Sequence, residues 1–474
     1  MTSLFTIRIK LFLAALLLPL LTIVISGFNG LYGQDAYAYL NMARTLDLLN
    51  PGVTSREFFW PILYPLFGSV LLQLVHSAAF AMQLISILSF ALAAVVLYDL
   101  LCNVYDTSGK LIASYTFLFF VLSPYAFRFS TLVMSDMLCL LLVLIALKHA
   151  LRKETGILNL SCAAVATVLA VSTRYVSILI LIIPLIYSVF NTFRRRQYKA
   201  LLAALFFSIT ACIPHLYFKG LTPHGMFDHS LLHGWSVLNS FRNNFPDSGM
   251  MVHQYRYYNI IATPFYLLHP AYCIFGSALL LTAAYMKIKR INLQINHAVL
   301  FALLIYLMFL TGIPFQNTRF LLMSFPLFLI LMFPSYQFAV NLITKWKFPG
   351  FVTSIIIQLP LVWYAVNTPY QLSTSEQEIT DEILTFNDKG LPIYTSGLEG
   401  PISYYLPEFE IKGLFRETVK GLESNFVLVI DSAEAMNQKQ GSNLVVNLNN
   451  FYGNNRIIRR RELEKNWIIY EFER

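Results

Sequence analysis

Residues 58–75 read FFWPILYPLFGSVLLQLV, an apolar run that at roughly 18 residues is long enough to cross a bilayer as a helix. Whether it crosses decides the sidedness of every later segment. Pro61 and Pro65 fall in its first half, where each removes a backbone donor that a helix in lipid needs. If the run crosses, the loop with Lys110 and the loop with Lys148, Arg152 and Lys153 take sides opposite to those favoured by the positive-inside tendency. If it dips into the outer face and returns, the basic residues gather on one side, and that reading is adopted here. The crossing segments are then 11–27, 79–101, 111–128, 131–148, 157–172, 175–192, 200–217, 265–286, 297–313, 319–338 and 350–367. The stretch 157–192 cannot be one helix, because at 1.5 Å per residue it would reach about 54 Å, and a turn near STRY divides it.

Composition agrees with such a chain. Of 474 residues 57% are hydrophobic and only 12% charged, and the mean hydropathy is +0.60, values outside the range of soluble globular proteins. Arg8 and Lys10 precede the first apolar run as in a signal peptide, but no small-x-small cleavage site follows, so the run is expected to stay as an anchor. Residues 1–367 hold 23 Lys and Arg against 9 Asp and Glu; residues 368–474 hold 11 against 16. Of those 23, 15 lie on the inner side, with the triplet Arg194, Arg195 and Arg196 suited to orientation or headgroup contact. The basic excess is thus topogenic and gives no reason to expect a nucleic acid partner. The five cysteines, Cys102, Cys139, Cys162, Cys212 and Cys273, lie in or beside apolar runs without metal-ligand spacing.

Three features face outward: a first loop from Phe28 to about Ser77, a second from Phe218 to about Thr263, and the tail. In the tail LPIYTS, FVLVI and WIIYEFE read as strands, with a helical pattern over Ser375–Asn387. The expected architecture is an all-α polytopic domain over 1–367, with about eleven spanning helices, and a small α/β extracytoplasmic domain over 368–474. The outer acids are Asp35, Asp47, Glu57, Asp136, Asp228 and Asp247. Asp35 and Asp136 are the two most closely bounded by apolar sequence, and a carboxylate near hydrocarbon is costly enough to invite a functional reading. Asp35, in GQDAYAYLNMA (33–43), reads either as an N-cap or as a functional carboxylate with Tyr39 one turn on. Asp136, in MSDM, reads either as a helix-start charge or as part of a site.

GQDAYAYLNMA, FFWPILYPLFGSVL, MSDM, STRY (172–175) and NTRFLLMSFPLFLIL (317–331), in that order, resemble the membrane glycosyltransferases of the GT-C fold. The similarity is to the family 39 type, which includes protein O-mannosyltransferases and the lipid A aminoarabinose transferase, and it covers about residues 8–340. The resemblance implies transfer of a sugar from a polyprenyl phosphate donor with inversion, with Asp35 as catalytic base or acceptor-positioning group and Asp136 as a second acid. Many relatives carry Asp-Glu at the first position, whereas Ala36 follows Asp35 here.

The chemistry fits a sparse site. A hydroxyl acceptor must lose a proton as it attacks, which one carboxylate can take. The leaving phosphate is already a stable anion and needs cationic donors, which the planar arginine fork supplies in pairs. The candidate donor-binding residues are therefore Arg174 and Tyr175 of STRY, Arg319 of NTRF, and Arg256 of HQYRYYN. Tyr39, His253 and His269 are candidates for sugar or phosphate contacts. Each arginine can instead serve by snorkelling to the interface, and each histidine by a structural bond. No Asp-x-Asp occurs in the outer loops and no Gly-rich turn precedes a helix, so no metal and no nucleotide sugar is indicated by pattern; a divalent cation would have to be held by sequence-distant acids. The expected partners are the lipid-linked donor, a hydroxyl acceptor (protein, lipid or glycan) and membrane lipids. The expected location is a bacterial cytoplasmic membrane with the site facing outward. The rival readings are a transporter or lipid flippase and a scaffold that recruits partners through its tail.

Overall fold

The structure, a computed structural model, describes residues 2–46, 58–105, 107–152, 154, 156–219, 234–246, 252–291, 295–342, 347–415, 418–419, 423–438 and 441–474. Asp47, Glu57, Arg56, Asp228 and Asp247 lie outside the described residues, as does the side chain of His253. The helices in chain order are α1 (Thr2–Ser26), α2 (Gly33–Thr45), α3 (Leu63–Leu71), α4 (Ala78–Val104), α5 (Gly109–Thr116), α6 (Pro124–Ser130), α7 (Asp136–Ala150), α8 (Ile157–Val171), α9 (Ile178–Arg194), α10 (Tyr198–Lys219), α11 (Asn259–Leu268), α12 (Gly276–Ile288), α13 (His297–Thr311), α14 (Phe325–Leu342), α15 (Lys347–Phe386), α16 (Glu399–Tyr405), α17 (Ser432–Asn437) and α18 (Asn443–Asn454). The strands are β1 (Asn244–Pro246), β2 (Val252–Gln254), β3 (Ile393–Thr395), β4 (Ile411–Gly413), β5 (Asn425–Asp431), β6 (Arg456–Glu462) and β7 (Trp467–Glu473).

The chain forms two compact units. The larger holds residues 1–30, 42–241 and 257–368; the smaller holds 31–41, 242–256 and 369–474. The smaller unit is thus built from the tail together with pieces of both outer loops.

In the larger unit, six helices among the described residues are long and apolar enough to cross a membrane, and a bent pair makes a seventh candidate. α4 is mostly buried and packs against α1 and α7, while α8 packs against α7 and α10. α1 and α10 instead expose apolar side chains such as Leu17, Leu21, Leu202, Phe206 and Ile213. An apolar face turned away from the protein core is what lipid contact requires. α3, the only helix in the run 58–75 among the described residues, has 9 residues and a length of about 14 Å, too short to cross.

The expected spans 111–128 and 265–286 are not single helices. α5 runs into a π turn over Phe117–Val121, and the chain then bends by 70° into α6. Ser123 and Pro124 set that bend: the serine accepts the Ala126 N–H as a cap, and the proline occupies the first helical position. In 265–286 the sequence His269-Pro270 ends α11, and α12 starts only at Gly276, because the residue before a proline disfavours helical backbone. The division at STRY is present: α8 ends at Val171, Arg174 is extended, and a 3₁₀ turn (Tyr175–Ser177) leads into α9.

Buried polar groups tie the helices together. In α14, Pro334 cannot donate to the Ile330 carbonyl, and the hydroxyl of Tyr105 does so at 2.7 Å. Arg8 and Lys148 each lie 2.7 Å from the Asp99 carboxylate, joining α1, α4 and α7. These are three charges that the sequence assigns to one membrane face.

In the smaller unit five strands form a sheet in the order β4-β3-β5-β7-β6, with β3 parallel to β4 and β5 and the other pairs antiparallel. The alternation of β5 decides its two faces. Val427 and Val429 join Ile379, Ile383 and Phe386 of α15, whereas Phe426, Leu428 and Ile430 join Leu444, Leu448 and Phe451 of α18. LPIYTS, FVLVI and WIIYEFE are therefore strands, as their composition indicates. β1 and β2 pair antiparallel in the same unit.

Candidate active site

Three of the sequence motifs meet in the larger unit. Asp136 is the first residue of α7 and is 0% exposed. Its Oδ1 accepts from an Arg174 terminal nitrogen at 2.7 Å. Its Oδ2 accepts from Arg319 Nε at 2.9 Å, with a second Arg319 nitrogen at 2.8 Å. The partners lie 38 and 183 residues away in sequence. MSDM, STRY and NTRF thus form one charge cluster whose arginine side chains are only 10% and 13% exposed.

Local structure explains how each arginine is presented. Arg174 is the extended residue between α8 and the next turn, so its side chain leaves the helical pattern there. Arg319 lies in a 3₁₀ turn (Thr318–Met323) whose first N–H groups are capped by the Asn317 side chain, which accepts from Arg319 N at 3.0 Å. That turn is braced by the fully buried Tyr272 and Tyr306, whose hydroxyls donate to the carbonyls of Thr318 (2.7 Å) and Phe320 (2.9 Å). The Phe320 ring lies 5.6 Å beneath the Arg174 guanidinium, a distance at which ring and cation attract. Asp136 thus draws two guanidiniums together in a buried setting, and guanidinium donors are suited to anionic oxygens such as those of a phosphate.

Asp136 starts α7, as its helix-start reading expects, and it also pairs with two cations. The other candidates are placed differently. Tyr175 lies beside Arg174 in the chain, and its hydroxyl is 3.4 Å from Nε2 of the buried His215. His269 accepts the Ala271 N–H on its own Nδ1 at 3.2 Å, a bond within its own turn. Asp35, Tyr39 and Arg256 belong to the smaller unit. Asp35 is the third residue of α2 and lies inside its first turn, not at the cap position; Tyr39 is fully buried; Arg256 is exposed. Among the described residues no three His, Cys, Asp or Glu side chains gather as metal ligands would.

Sequence reasoning missed Tyr272 and Tyr306, which look like ordinary span aromatics, and the partners of the Asp35 helix. Tyr37 donates to Glu376 at 2.9 Å, and Gln34 bonds to Glu399 at 3.1 Å and to Gly400 N at 3.0 Å. The available signal was that Gln34 and Tyr37 flank Asp35 in the same short stretch.

No protein-family model matches the sequence, and no curated protein matches it at a significant level. Two solved structures do share its architecture. A crystal structure of ArnT from Cupriavidus metallidurans bound to undecaprenyl phosphate aligns with a TM-score of 0.59 at 10% identity, covering 99% of this chain and 97% of that one. The same protein in the apo state aligns with a TM-score of 0.57 at 9% identity, covering 96% and 97%. Likeness at such low identity over nearly the full length of both chains establishes the fold alone: this chain shares the architecture of that ArnT, with several helices long and apolar enough to cross a membrane and a small C-terminal α/β portion.

Proposed function

We propose that this protein is an integral membrane glycosyltransferase of the family 39 type, which moves a sugar from a polyprenyl phosphate donor to a hydroxyl acceptor on the extracytoplasmic face. The observation that carries the reading is the buried Asp136–Arg174–Arg319 cluster, which brings two guanidiniums together where their donors would suit a phosphate. Its fold likeness to a protein crystallised with undecaprenyl phosphate supports a lipid phosphate in particular. In this reading the chain crosses the membrane eleven times, residues 1–367 form the catalytic domain, and 368–474 form an extracytoplasmic domain.

The carboxylate of Asp35 takes the proton of the acceptor hydroxyl as the oxygen bonds to the anomeric carbon. The bond from that carbon to the phosphate oxygen breaks, and the lipid phosphate leaves with the electron pair, held by Arg174 and Arg319. Asp136 fixes the two guanidiniums in place before the donor arrives, and the anomeric centre is inverted. Tyr39, Tyr175, Arg256 and His269 remain candidates for substrate contacts.

The test is to reconstitute the purified protein in lipid nanodiscs with radiolabelled undecaprenyl phosphate hexoses and pentoses and an acceptor extract. The wild type should discharge one donor, and Asp35→Asn should abolish discharge while still binding undecaprenyl phosphate. Full discharge by Asp35→Asn refutes the base assignment. Movement of the donor across the bilayer with its sugar intact would favour a flippase.

A further inference from the structure

The first turn of α2 is gripped by the C-terminal part of the chain, all within the smaller unit. Glu376, on α15, accepts from the Tyr37 hydroxyl at 2.9 Å and from the Gly33 backbone N–H. The Gln34 side chain donates to the Gly397 carbonyl and to Glu399 at 3.1 Å, and accepts the Gly400 N–H at 3.0 Å. The Tyr37 ring packs on Tyr404 and Tyr405, with centroids 5.9 and 6.5 Å apart. The approach is close enough that a Cβ on Gly400 would come within 2.7 Å of Gln34 Oε1 and 2.9 Å of Tyr37 Cβ. Gly33 itself has a φ of +68°, a left-handed value that glycine adopts without steric cost.

The geometry of a helix gives this grip a consequence. Successive residues turn by about 100°, so Gly33 and Tyr37 share one side, and Asp35 lies about 160° round from Tyr37. The Gly33 and Tyr37 contacts therefore hold the helix by the side away from Asp35, and the Gln34 contacts, about 100° round from Asp35, hold its flank. A helix of 13 residues is marginal without tertiary contacts, so its orientation has to come from what it packs against.

We propose that the C-terminal part of the chain is the mount of the first-loop carboxylate, with Gln34 and Tyr37 as positioning residues that lock the Asp35 helix to Glu376, Glu399 and Gly400. This rests on Asp35 acting as the base in the proposed transfer. A carboxylate within hydrogen-bond reach of the acceptor is effective only in a narrow range of positions, so loosening its helix lowers turnover more than donor binding.

Two readouts test it on the full chain. Hydrogen–deuterium exchange at residues 33–41 should quicken roughly five- to tenfold in Tyr37→Phe and in Gln34→Ala, as expected for the loss of one or two hydrogen bonds. With the radiolabelled undecaprenyl phosphate sugar that the wild type discharges, kcat should fall by about 10- to 100-fold with donor KM unchanged. Leu448→Ala, in the core on the α18 face of the sheet, serves as the stability control and should leave both readouts near wild type. Wild-type exchange and turnover in Tyr37→Phe and Gln34→Ala overturn the proposal, as does an equal fall in kcat in Leu448→Ala at a matched loss of thermal stability. Full activity of Asp35→Asn would instead sink the catalytic reading, and with it the functional half of this proposal, while the exchange result would still report whether the lock exists.

Discussion

At the scale of single residues, the decisive fact is that Asp136 spends both oxygens on guanidiniums while wholly buried. Removing one member of such a cluster strands the others in a medium that cannot solvate them. Asp136→Ala is therefore expected to cost about 3–5 kcal/mol of stability and to abolish undecaprenyl phosphate binding, measured by thermal unfolding and by lipid binding in detergent. A variant as stable as wild type would show that the arginines find other partners. Arg319 donates to Oδ2 from Nε, with a terminal nitrogen 2.8 Å from the same oxygen, a planar group that lysine cannot reproduce, so Arg319→Lys should keep the fold but weaken phosphate binding by roughly tenfold. The identities of all three residues were legible in the sequence as charges bordering apolar runs. Their mutual distances were not, because a separation of 183 residues carries no local periodicity.

At the scale of elements, helices that break the apolar pattern are repaired by side chains from elsewhere. Tyr105→Phe should leave the Ile330 carbonyl of α14 without its donor and cost about 1–3 kcal/mol, to be read as a lowered thermal midpoint; an unchanged midpoint would mean that α14 closes the gap itself. α15 is the other informative element. Its apolar part from Phe348 belongs to a segment of 39 residues, about 58 Å long, nearly twice the hydrocarbon thickness. Glu376 lies nine residues beyond Asn367, where the apolar pattern ends. Burial pushes its carboxyl up to about 7 from 4.5, against the lowering effect of the hydrogen bonds from Tyr37 and Gly33. Burial and the neighbouring Glu376 in turn hold the Tyr37 hydroxyl protonated, well above its ordinary range, so it remains a donor. A group whose folded value is raised favours folding most below its ordinary value and loses that contribution as pH climbs through the folded one. The wild type should therefore lose thermal stability relative to Glu376→Gln between pH 5 and about 8. A difference between the two that stays flat across that range would contradict the assignment.

At the scale of the whole molecule, the charge distribution makes a prediction about sidedness. In a variant lacking Cys102, Cys139, Cys162, Cys212 and Cys273, an impermeant thiol reagent should label Asn454→Cys in intact cells, and Arg195→Cys only after the membrane is opened. The reverse pattern would invert the topology. The sequence by itself determined that the chain lives in a bilayer, that residues 58–75 do not form a spanning helix, that STRY divides two helices and that the tail holds alternating strands. Most of these follow from hydropathy, segment length or side-chain period, where backbone hydrogen bonding in lipid leaves few alternatives, and the reading of 58–75 also from the side on which the basic residues of later loops must fall. Only the tertiary structure decided that MSDM, STRY and NTRF share one charge cluster, that pieces of both outer loops join the tail in one compact unit, and that the helix carrying Asp35 is held there by Glu376 and Gly400. Those outcomes depend on packing and ion pairing between segments far apart in the chain, and the energies that select them exist only once the helices and the sheet have come together.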